Sequence, residues 1–188
     1  IHQLPEAIEL IEDFHATGYE TTCNIMAISK SFDDELDQVL QTLAQTNVDV
    51  IYIADSFGSF YPEQINKLTA KYLGAAKPVG KKVGIHAHNN LTLAYANTLE
   101  AMIYGTSYLD VTVSGLGRGA GNCAMELLLG FLKNPKYKLL PVLKFIEEHI
   151  VPLEKELDWG PSVPYILTGH LNEHPRPAMK ARDEGDTQ

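Results

Sequence analysis

The chain has 188 residues, with 24 acidic side chains against 15 Lys and Arg, and 45% of its residues are apolar. This length predicts one domain that can bury a core, and the net charge of −9 argues against nucleic-acid binding, which begins by neutralising phosphates. No apolar run approaches the roughly 18 residues of a membrane span, and Cys23 and Cys123 make no disulfide framework. We therefore expect a cytoplasmic protein with neither nucleic-acid nor membrane partners.

Helical and strand-like segments alternate along the sequence. Apolar side chains recur with helical spacing before Gly18 and again before Gly105, whereas short β-branched runs lie between the helices. Four strand–helix repeats predict right-handed βαβ units and a parallel sheet. In chain order the predicted segments are a helix over 4–16, a strand within 20–29, a helix from Ser31, a strand over 48–54, a helix over 62–76, a strand over 82–88, a helix over 91–104, a strand over 108–114 and a helix over 122–132.

The spacing and the faces of these strands favour a (β/α)₈ barrel. The strands start near residues 20, 48, 82 and 108, which suits the roughly 31 residues per unit of such a barrel and, almost as well, a doubly wound open sheet. An open sheet covered on both faces by helices would be apolar on both faces. Here one face is mostly polar and consists of Thr22, Asn24, Met26, Gly84, His86, His88, Asp110, Thr112 and Ser114.

The strongest chemical signal is the pair His86 and His88 on one predicted strand. Side chains two residues apart project from the same face, so both imidazoles can converge on one divalent metal ion. The alternative interpretation is two histidines that share a face and bond only to their protein neighbours.

A glycine-dense loop follows the next strand, over 115–122, and ends at Asn122. Such a loop lets the backbone approach a ligand closely, and the Asn122 amide oxygen can ligate a metal. Gly115, Gly117 and Ala120 also fit a dinucleotide-binding fingerprint, but the acidic residue that this fingerprint requires further along is absent from 136–145. A purely structural loop is the remaining alternative.

The segments 83–91, 96–98 and 115–122 resemble the metal-dependent DRE-TIM metallolyase superfamily, whose members include enzymes similar to HMG-CoA lyase and to 4-hydroxy-2-oxovalerate aldolase. The resemblance implies an α/β fold, a partial TIM (β/α)₈ barrel in which residues 1–135 supply about strands 4 to 7. Residues 136–188 would then be a C-terminal helix and an irregular tail. Strands one to three are expected to precede Ile1, so that the sequence is the C-terminal portion of a catalytic barrel.

The same resemblance implies a metal site made by His86, His88 and Asn122. The expected cofactor is a divalent ion, Mn²⁺ or Mg²⁺, with Zn²⁺ or Co²⁺ as alternatives. The superfamily also carries an Arg-Asp-Gly-like segment that supplies a metal-binding Asp, and the only Arg-Asp pair here, Arg182-Asp183, lies in the tail. Two neutral imidazoles and an amide leave a divalent ion without an anionic protein ligand.

Further residues are expected to contact the substrate. Ser56, in the pair Asp55-Ser56, corresponds in the resemblance to a position lining the 2-oxo-acid site, although a turn-capping role is the alternative. Asn24, on the polar face, and Gly117, in the glycine loop, complete the predicted substrate contacts. Tyr165 is a possible counterpart of a catalytic acid in the aldolases, with a packing Tyr as the alternative.

The resulting functional prediction is a metal-dependent aldolase or lyase that cleaves or forms a carbon–carbon bond next to a 2-oxo acid, through pyruvate enolate chemistry. The expected partners are a small 2-oxo or hydroxy-oxo acid and either identical copies of the chain or the other half of the barrel. Two alternatives stay open. One is a non-catalytic barrel fragment or binding module, because half a barrel leaves unpaired sheet edges. The other is a Claisen-type acyl-CoA condensing enzyme of the same superfamily.

Overall fold

The computed structural model describes residues 3–183 as an α/β fold with a parallel four-stranded sheet in the order β1-β2-β3-β4. Thr22 pairs with Val50 at the start of β1, and Gly84 pairs with Tyr108 where β3 meets β4. The predicted α/β class and parallel sheet are confirmed. The strands are β1 (Thr22–Ile25), β2 (Val50–Asp55), β3 (Lys82–Ala87) and β4 (Tyr108–Leu109).

Helices separate the strands and continue after β4. They are α1 (Leu4–Ala16), α2 (Asp33–Ala44), α3 (Pro62–Ala76), α4 (Ala94–Ile103), α5 (Met125–Leu132), α6 (Leu139–Phe145), α7 (Val151–Leu153), α8 (Val163–His170) and α9 (Arg176–Asp183). Short 3-10 turns occupy Ile28–Lys30, Lys77–Val79 and Val113–Gly115, and a π-turn over Ile146–Ile150 joins α6 to α7. Within 3–183, every helix is too short or too polar to span a lipid bilayer.

The chain divides into two compact units. The first unit contains the residues up to Ser56 together with Phe60–His86 and Asn97–Leu109, and it carries all of the sheet except the last residue of β3. The second unit contains Phe57–Ser59, Ala87–Ala96 and the residues from Asp110 onward. The boundary therefore falls within the His86-Ala87-His88 segment.

The core of the first unit lies where α2 and α3 cover β2. Three acidic residues open α2, where they suit the positive end of the helix dipole, and Pro62 begins α3 with its φ already helical. Every residue of β2 is buried, as expected for a central strand of a covered parallel sheet. The largest fully buried apolar side chains of this unit are Leu40, Leu43, Val48, Val50, Ile51, Ile53, Ile65, Tyr72, Val83 and Ile85.

The fourth strand is much shorter than the sequence predicts. A strand over 108–114 was expected, but β4 ends at Leu109 and Ser114 takes a left-handed conformation with φ 52°. The cause lies later in the chain, because the Thr112 N–H donates to the Cys123 carbonyl and the Thr112 carbonyl accepts from Met125. These bonds fold the chain against the end of the glycine loop, and α5 begins at Met125 rather than at Asn122.

The C-terminal region is more helical than expected. The predicted helix over 138–157 is present as a continuous helical run from Leu139 to Leu153, with one π-turn inside it. The stretches over 159–165 and 171–177 were expected to be irregular, but α8 begins within the first and α9 within the second. Pro164 lies in the first turn of α8, where a missing backbone N–H costs no helical hydrogen bond.

Candidate functional site

In the first unit, part of the polar sheet face predicted from the sequence lies on strands, whereas Met26, His88, Asp110, Thr112 and Ser114 lie outside them. The Tyr52 ring lies over Gly84, so that a Cβ added to Gly84 would come within 2.5 Å of the Tyr52 Cε1 atom. Tyr52 is paired in register with Asn24, and His86 follows Gly84 by two residues on β3. Strand alternation therefore places Asn24, Tyr52 and His86 on one face, where His86 is half-buried.

Ser56 has a local structural partner. Its hydroxyl oxygen accepts a hydrogen bond of 2.9 Å from the Ala27 N–H, and Ala27 lies in the left-handed region with φ 55°. Ser56 thus holds the turn that follows β1 against the end of β2. Asn24, three residues before that turn, helps to line a cavity of about 520 Å³ together with Leu10 and Phe14 of α1.

In the second unit, glycines of the loop over 115–122 lie so close to neighbouring atoms that a side chain at their positions would not fit. A Cβ on Gly117 would overlap the Asn122 side-chain nitrogen, and a Cβ on Gly121 would overlap the Gly115 carbonyl oxygen. Gly115 and Gly121 also have positive φ values of 63° and 82°, which glycine adopts without steric cost. Glycine is therefore required at position 117, where the backbone lies against the Asn122 side chain, and at position 121, where it lies against the Gly115 carbonyl.

His88 and Asn122 are brought together by the backbone. The two residues form an antiparallel bridge, and the Asn89 N–H donates to the Gly121 carbonyl over 2.9 Å. The His88 Nδ1 atom lies 3.3 Å from the same Gly121 carbonyl oxygen. In the tautomer that carries its proton on Nδ1, this contact is a hydrogen bond, and Nε2 is then the ring nitrogen able to ligate a metal.

The two polar atoms of the Asn122 side chain have different surroundings. Its Nδ2 donates to the Leu116 carbonyl over 3.3 Å, which orients the amide. Its Oδ1 is buried, and no donor within residues 3–183 reaches it. A buried amide oxygen without a partner is costly, and a bound cation would satisfy it.

The candidate metal ligands His86, His88 and Asn122 nevertheless include no anionic side chain. Within the part of the chain that the structure describes, no cluster of three or more His, Cys, Asp or Glu side chains could hold a metal ion. His88 and Asn122, which the backbone brings together in the second unit, offer neutral nitrogen and oxygen donors of the types that a divalent ion accepts. This agrees with the absence from the sequence of the superfamily's Arg-Asp-Gly-like segment.

Three residues that support the loop were missed by the sequence analysis. The Trp159 indole N–H donates to the Ser114 carbonyl over 3.1 Å, and the Glu126 carboxylate accepts from the Ser114 N–H over 3.0 Å. Asn89 accepts the Ala94 N–H with its side-chain oxygen at the start of α4. Trp159 and Asn122 both line a cavity of about 480 Å³ beside this loop.

Tyr165, which the resemblance implies as a catalytic acid, is fully buried. Its ring lies against Gly119, where an added Cβ would come within 2.9 Å of the Tyr165 Cε1 atom. The Arg182 guanidinium lies 5.2 Å from the centre of the same ring. These contacts are those of a packing residue beneath the glycine loop.

Two substitutions separate packing from acid catalysis at Tyr165. Tyr165→Ala should lower the free energy of unfolding by about 3 to 5 kcal/mol, because it leaves a large cavity, whereas Tyr165→Phe should change it by less than about 1 kcal/mol. Urea denaturation of both variants measures the difference. An intact Tyr165→Phe protein that has lost the lyase activity proposed below would instead identify the hydroxyl as a proton donor.

A sequence model of the HMGL-like family matches residues 2–146, which is most of the chain. The chain belongs to the HMGL-like family. The predicted resemblance to the DRE-TIM metallolyases is thereby confirmed.

Named relatives of this HMGL-like chain are carbon–carbon lyases. It is 31% identical over 140 residues to the 4-hydroxy-2-oxovalerate aldolase of Geobacillus thermodenitrificans, an alignment that covers 72% of the chain and 40% of the aldolase. It is 35% identical over 123 residues to the oxaloacetate decarboxylase of Mycobacterium tuberculosis, covering 65% of the chain and 36% of the decarboxylase. The chain thus spans roughly two fifths of the length of these curated relatives.

A solved structure shows the same fold. It is the crystal structure of the N-terminal domain of a Bacteroides vulgatus protein provisionally assigned as an aldolase. The TM-score is 0.82 at 30% sequence identity, with coverage of 95% of the HMGL-like chain and 60% of the other. The arrangement of strands and helices described above is therefore shared with that domain.

Proposed function

We propose that the chain supplies the two-histidine part of a metal-dependent lyase that cleaves or forms a carbon–carbon bond next to a 2-oxo acid. The observation that carries the proposal is the buried Oδ1 of Asn122, which has no donor within 3–183 and belongs to a residue bridged to His88. His86 is the penultimate residue of β3, and His88 directly follows the last residue of that strand. His86, His88 and Asn122 are the proposed ligands.

The proposed architecture is a partial (β/α)₈ barrel. The four parallel strands would be about strands 4 to 7, and the outer edges of β1 and β4 would pair with the remaining strands. In such barrels the catalytic groups lie at the carboxyl ends of the strands. In this chain His86 is the penultimate residue of β3, and Ser56 directly follows β2. Residues 136–188 are the proposed C-terminal extension.

Each residue has a definite task in the proposed reaction. When bound, a divalent ion, Mn²⁺ or Mg²⁺ in this proposal, would polarise the 2-oxo group and offset the negative charge that develops as the adjacent bond breaks. The Gly121 carbonyl orients the His88 ring, and the Leu116 carbonyl orients the Asn122 amide. Gly117 lets the loop backbone approach the Asn122 amide closely, and it is the proposed substrate contact within the loop.

Cleavage of 4-hydroxy-2-oxopentanoate by the complete protein with the proposed barrel, measured as pyruvate release with added Mn²⁺, tests this function. We expect His86→Ala and His88→Ala each to reduce the rate by at least about a hundredfold, because each removes a metal ligand. His149→Ala is the matched control, since this histidine is exposed on the helical run after α6. Activity that survives both ligand substitutions unchanged would refute the metal role.

Oxaloacetate is the second substrate to assay. The similarity to an oxaloacetate decarboxylase favours it, because loss of its terminal carboxyl group also breaks a carbon–carbon bond next to a 2-oxo acid. Pyruvate release from oxaloacetate but not from 4-hydroxy-2-oxopentanoate would assign decarboxylation instead of aldol cleavage. Both reactions depend on the same proposed ligands, so the same variants serve for both.

A further inference from the structure

The cavity of about 480 Å³ beside the glycine loop lies wholly within the second unit. Its walls include the proposed metal ligand Asn122 and also Asn89, which directly follows His88 in the sequence. Cavities of this size can hold a drug-sized molecule, whereas a three-carbon acid such as pyruvate would fill only a small part of it. The proposed metal site therefore adjoins space for a further, larger group of the substrate.

Two aromatic side chains from different segments line this cavity. Tyr95 lies in the first turn of α4, and Trp159 lies in the segment before α8. The Trp159 indole N–H donates to the Ser114 carbonyl over 3.1 Å. The N–H of the next residue, Gly160, donates to the Gly119 carbonyl over 3.0 Å. These two bonds tie the Trp159 segment to the glycine loop, so the indole has a fixed position in the cavity wall.

The charge of the cavity walls selects the kind of group that can enter. Among the lining residues that the structure describes, Glu154 is the one charged side chain. A second carboxylate, that of Glu126, accepts from the N–H of the lining residue Ser114. The apolar part of the wall consists of Ala120, Ala124, Leu127 and Pro161. Such walls disfavour an anionic group, which would lose hydration and meet like charge, and they favour an uncharged apolar one.

We propose that this cavity binds an uncharged aromatic group of the substrate, and hence that the substrate is a 4-hydroxy-2-oxo acid with an aryl group on its hydroxyl-bearing carbon. This inference rests on the proposed function, which places the 2-oxo acid end at the metal site. The aryl ring contacts Trp159 and Tyr95, because aromatic pairs add to the gain from burial. Cleavage yields pyruvate and an aromatic aldehyde, and the proton that leaves the hydroxyl balances the proton gained by the pyruvate methyl carbon.

The test compares 2-oxo-4-phenylbutanoate with 2-oxobutanoate, which share the 2-oxo acid end and differ by the phenyl ring. Neither carries the hydroxyl group, so neither undergoes aldol cleavage. Each is titrated into the full chain with Mg²⁺ present, and binding is followed by calorimetry and by the fluorescence of Trp159, the only tryptophan of the sequence. We expect the phenyl compound to bind at least about tenfold more tightly and to shift the Trp159 emission.

A substitution in the cavity wall shows where the ring binds. Tyr95→Leu should reduce the preference for the phenyl compound roughly fivefold, because leucine stays apolar but lacks the aromatic ring. Tyr137→Leu is the matched control, since this tyrosine is exposed and lies outside the cavity in the same unit. It should keep the full preference, and circular dichroism shows whether each variant is folded.

A second variant tests the charge of the cavity. A ring that carries a carboxylate, as in 2-oxo-4-(4-carboxyphenyl)butanoate, should bind the wild type roughly fivefold more weakly than the plain phenyl compound. Glu154→Lys should remove this difference. Glu156→Lys, which changes an exposed carboxylate of the same turn outside the cavity, should leave the difference in place.

Equal affinity for the phenyl compound and 2-oxobutanoate would overturn the proposal, and so would a preference that is unchanged in a folded Tyr95→Leu variant. Tighter binding of the carboxyphenyl compound than of the phenyl compound would overturn it as well. Repeating the titrations without Mg²⁺ separates this inference from the proposed function. If only the aryl inference fails, Mg²⁺ tightens both acids equally and the ring adds nothing; if the proposed function fails, Mg²⁺ changes neither affinity.

Discussion

Gly121→Ala should lower the free energy of unfolding by roughly 3 kcal/mol, the largest effect expected of a single methyl group in the glycine loop. The new Cβ would overlap the Gly115 carbonyl oxygen, and the residue would also have to hold a φ of 82°. The Gly121 carbonyl meanwhile accepts from Asn89 and faces the His88 ring. The substitution should therefore loosen the proposed ligands together with the fold, as urea denaturation and metal titration would measure.

Gly80→Ala is the matched control for this prediction. Gly80 has a similar φ of 76°, but an added Cβ would meet nothing within 4 Å. Its cost should be about 1 kcal/mol, the strain of a left-handed alanine alone. Equal losses of stability in the two variants would show that the contact between Gly121 and Gly115 does not constrain the loop.

Local signals in the sequence were sufficient to predict several elements of the fold. The helices over 4–16 and 62–76 have the predicted bounds. Apolar periodicity, a proline near the start of each helix and a glycine soon after α1 mark these bounds, and all of these signals lie within or next to the helix itself. The parallel sheet followed from the regular strand–helix alternation. These features depend on residues that are close together in the sequence, so they can be recognised from the sequence alone.

The end of β4 could not be predicted in this way. Thr112 leaves the sheet because it bonds to Cys123 and Met125, and the β-branched run around it contains no sign of those partners. Trp159 was missed as a support of the loop for the same reason, since it lies 45 residues from Ser114 in sequence. Tertiary hydrogen bonds of this kind override strand propensity.

The candidate site was predictable only in part. Strand alternation led to the prediction that His86 and His88 act together, which stays a prediction, and glycine density singled out the loop that ends at Asn122. What the sequence could not provide was the buried and unpartnered oxygen of Asn122, or the bond between Ser56 and Ala27, because both depend on how distant segments pack. The roles of Asn24, Gly117 and Tyr165 in binding or catalysis remain predictions.

Loss of the metal ligands should have the second large effect. A divalent ion held by two imidazoles and an amide depends on every donor, and removing one first-coordination ligand should weaken binding by at least about a hundredfold. Asn122→Ala should have a smaller effect, roughly tenfold, because a neutral amide oxygen is the weakest of the three donors. Asn66→Ala is its control, since Asn66 is bonded to Glu100 in the first unit.

Binding of Mn²⁺ to the full chain, followed by isothermal titration calorimetry, tests the central claim most directly. The account predicts one site in the wild type, at least about a hundredfold weaker binding when His86→Ala and His88→Ala are combined, and unchanged binding in His149→Ala. Circular dichroism confirms that each variant is folded. Equal Mn²⁺ affinity in the wild type, the double variant and the control would contradict the claim that these two histidines form a metal site.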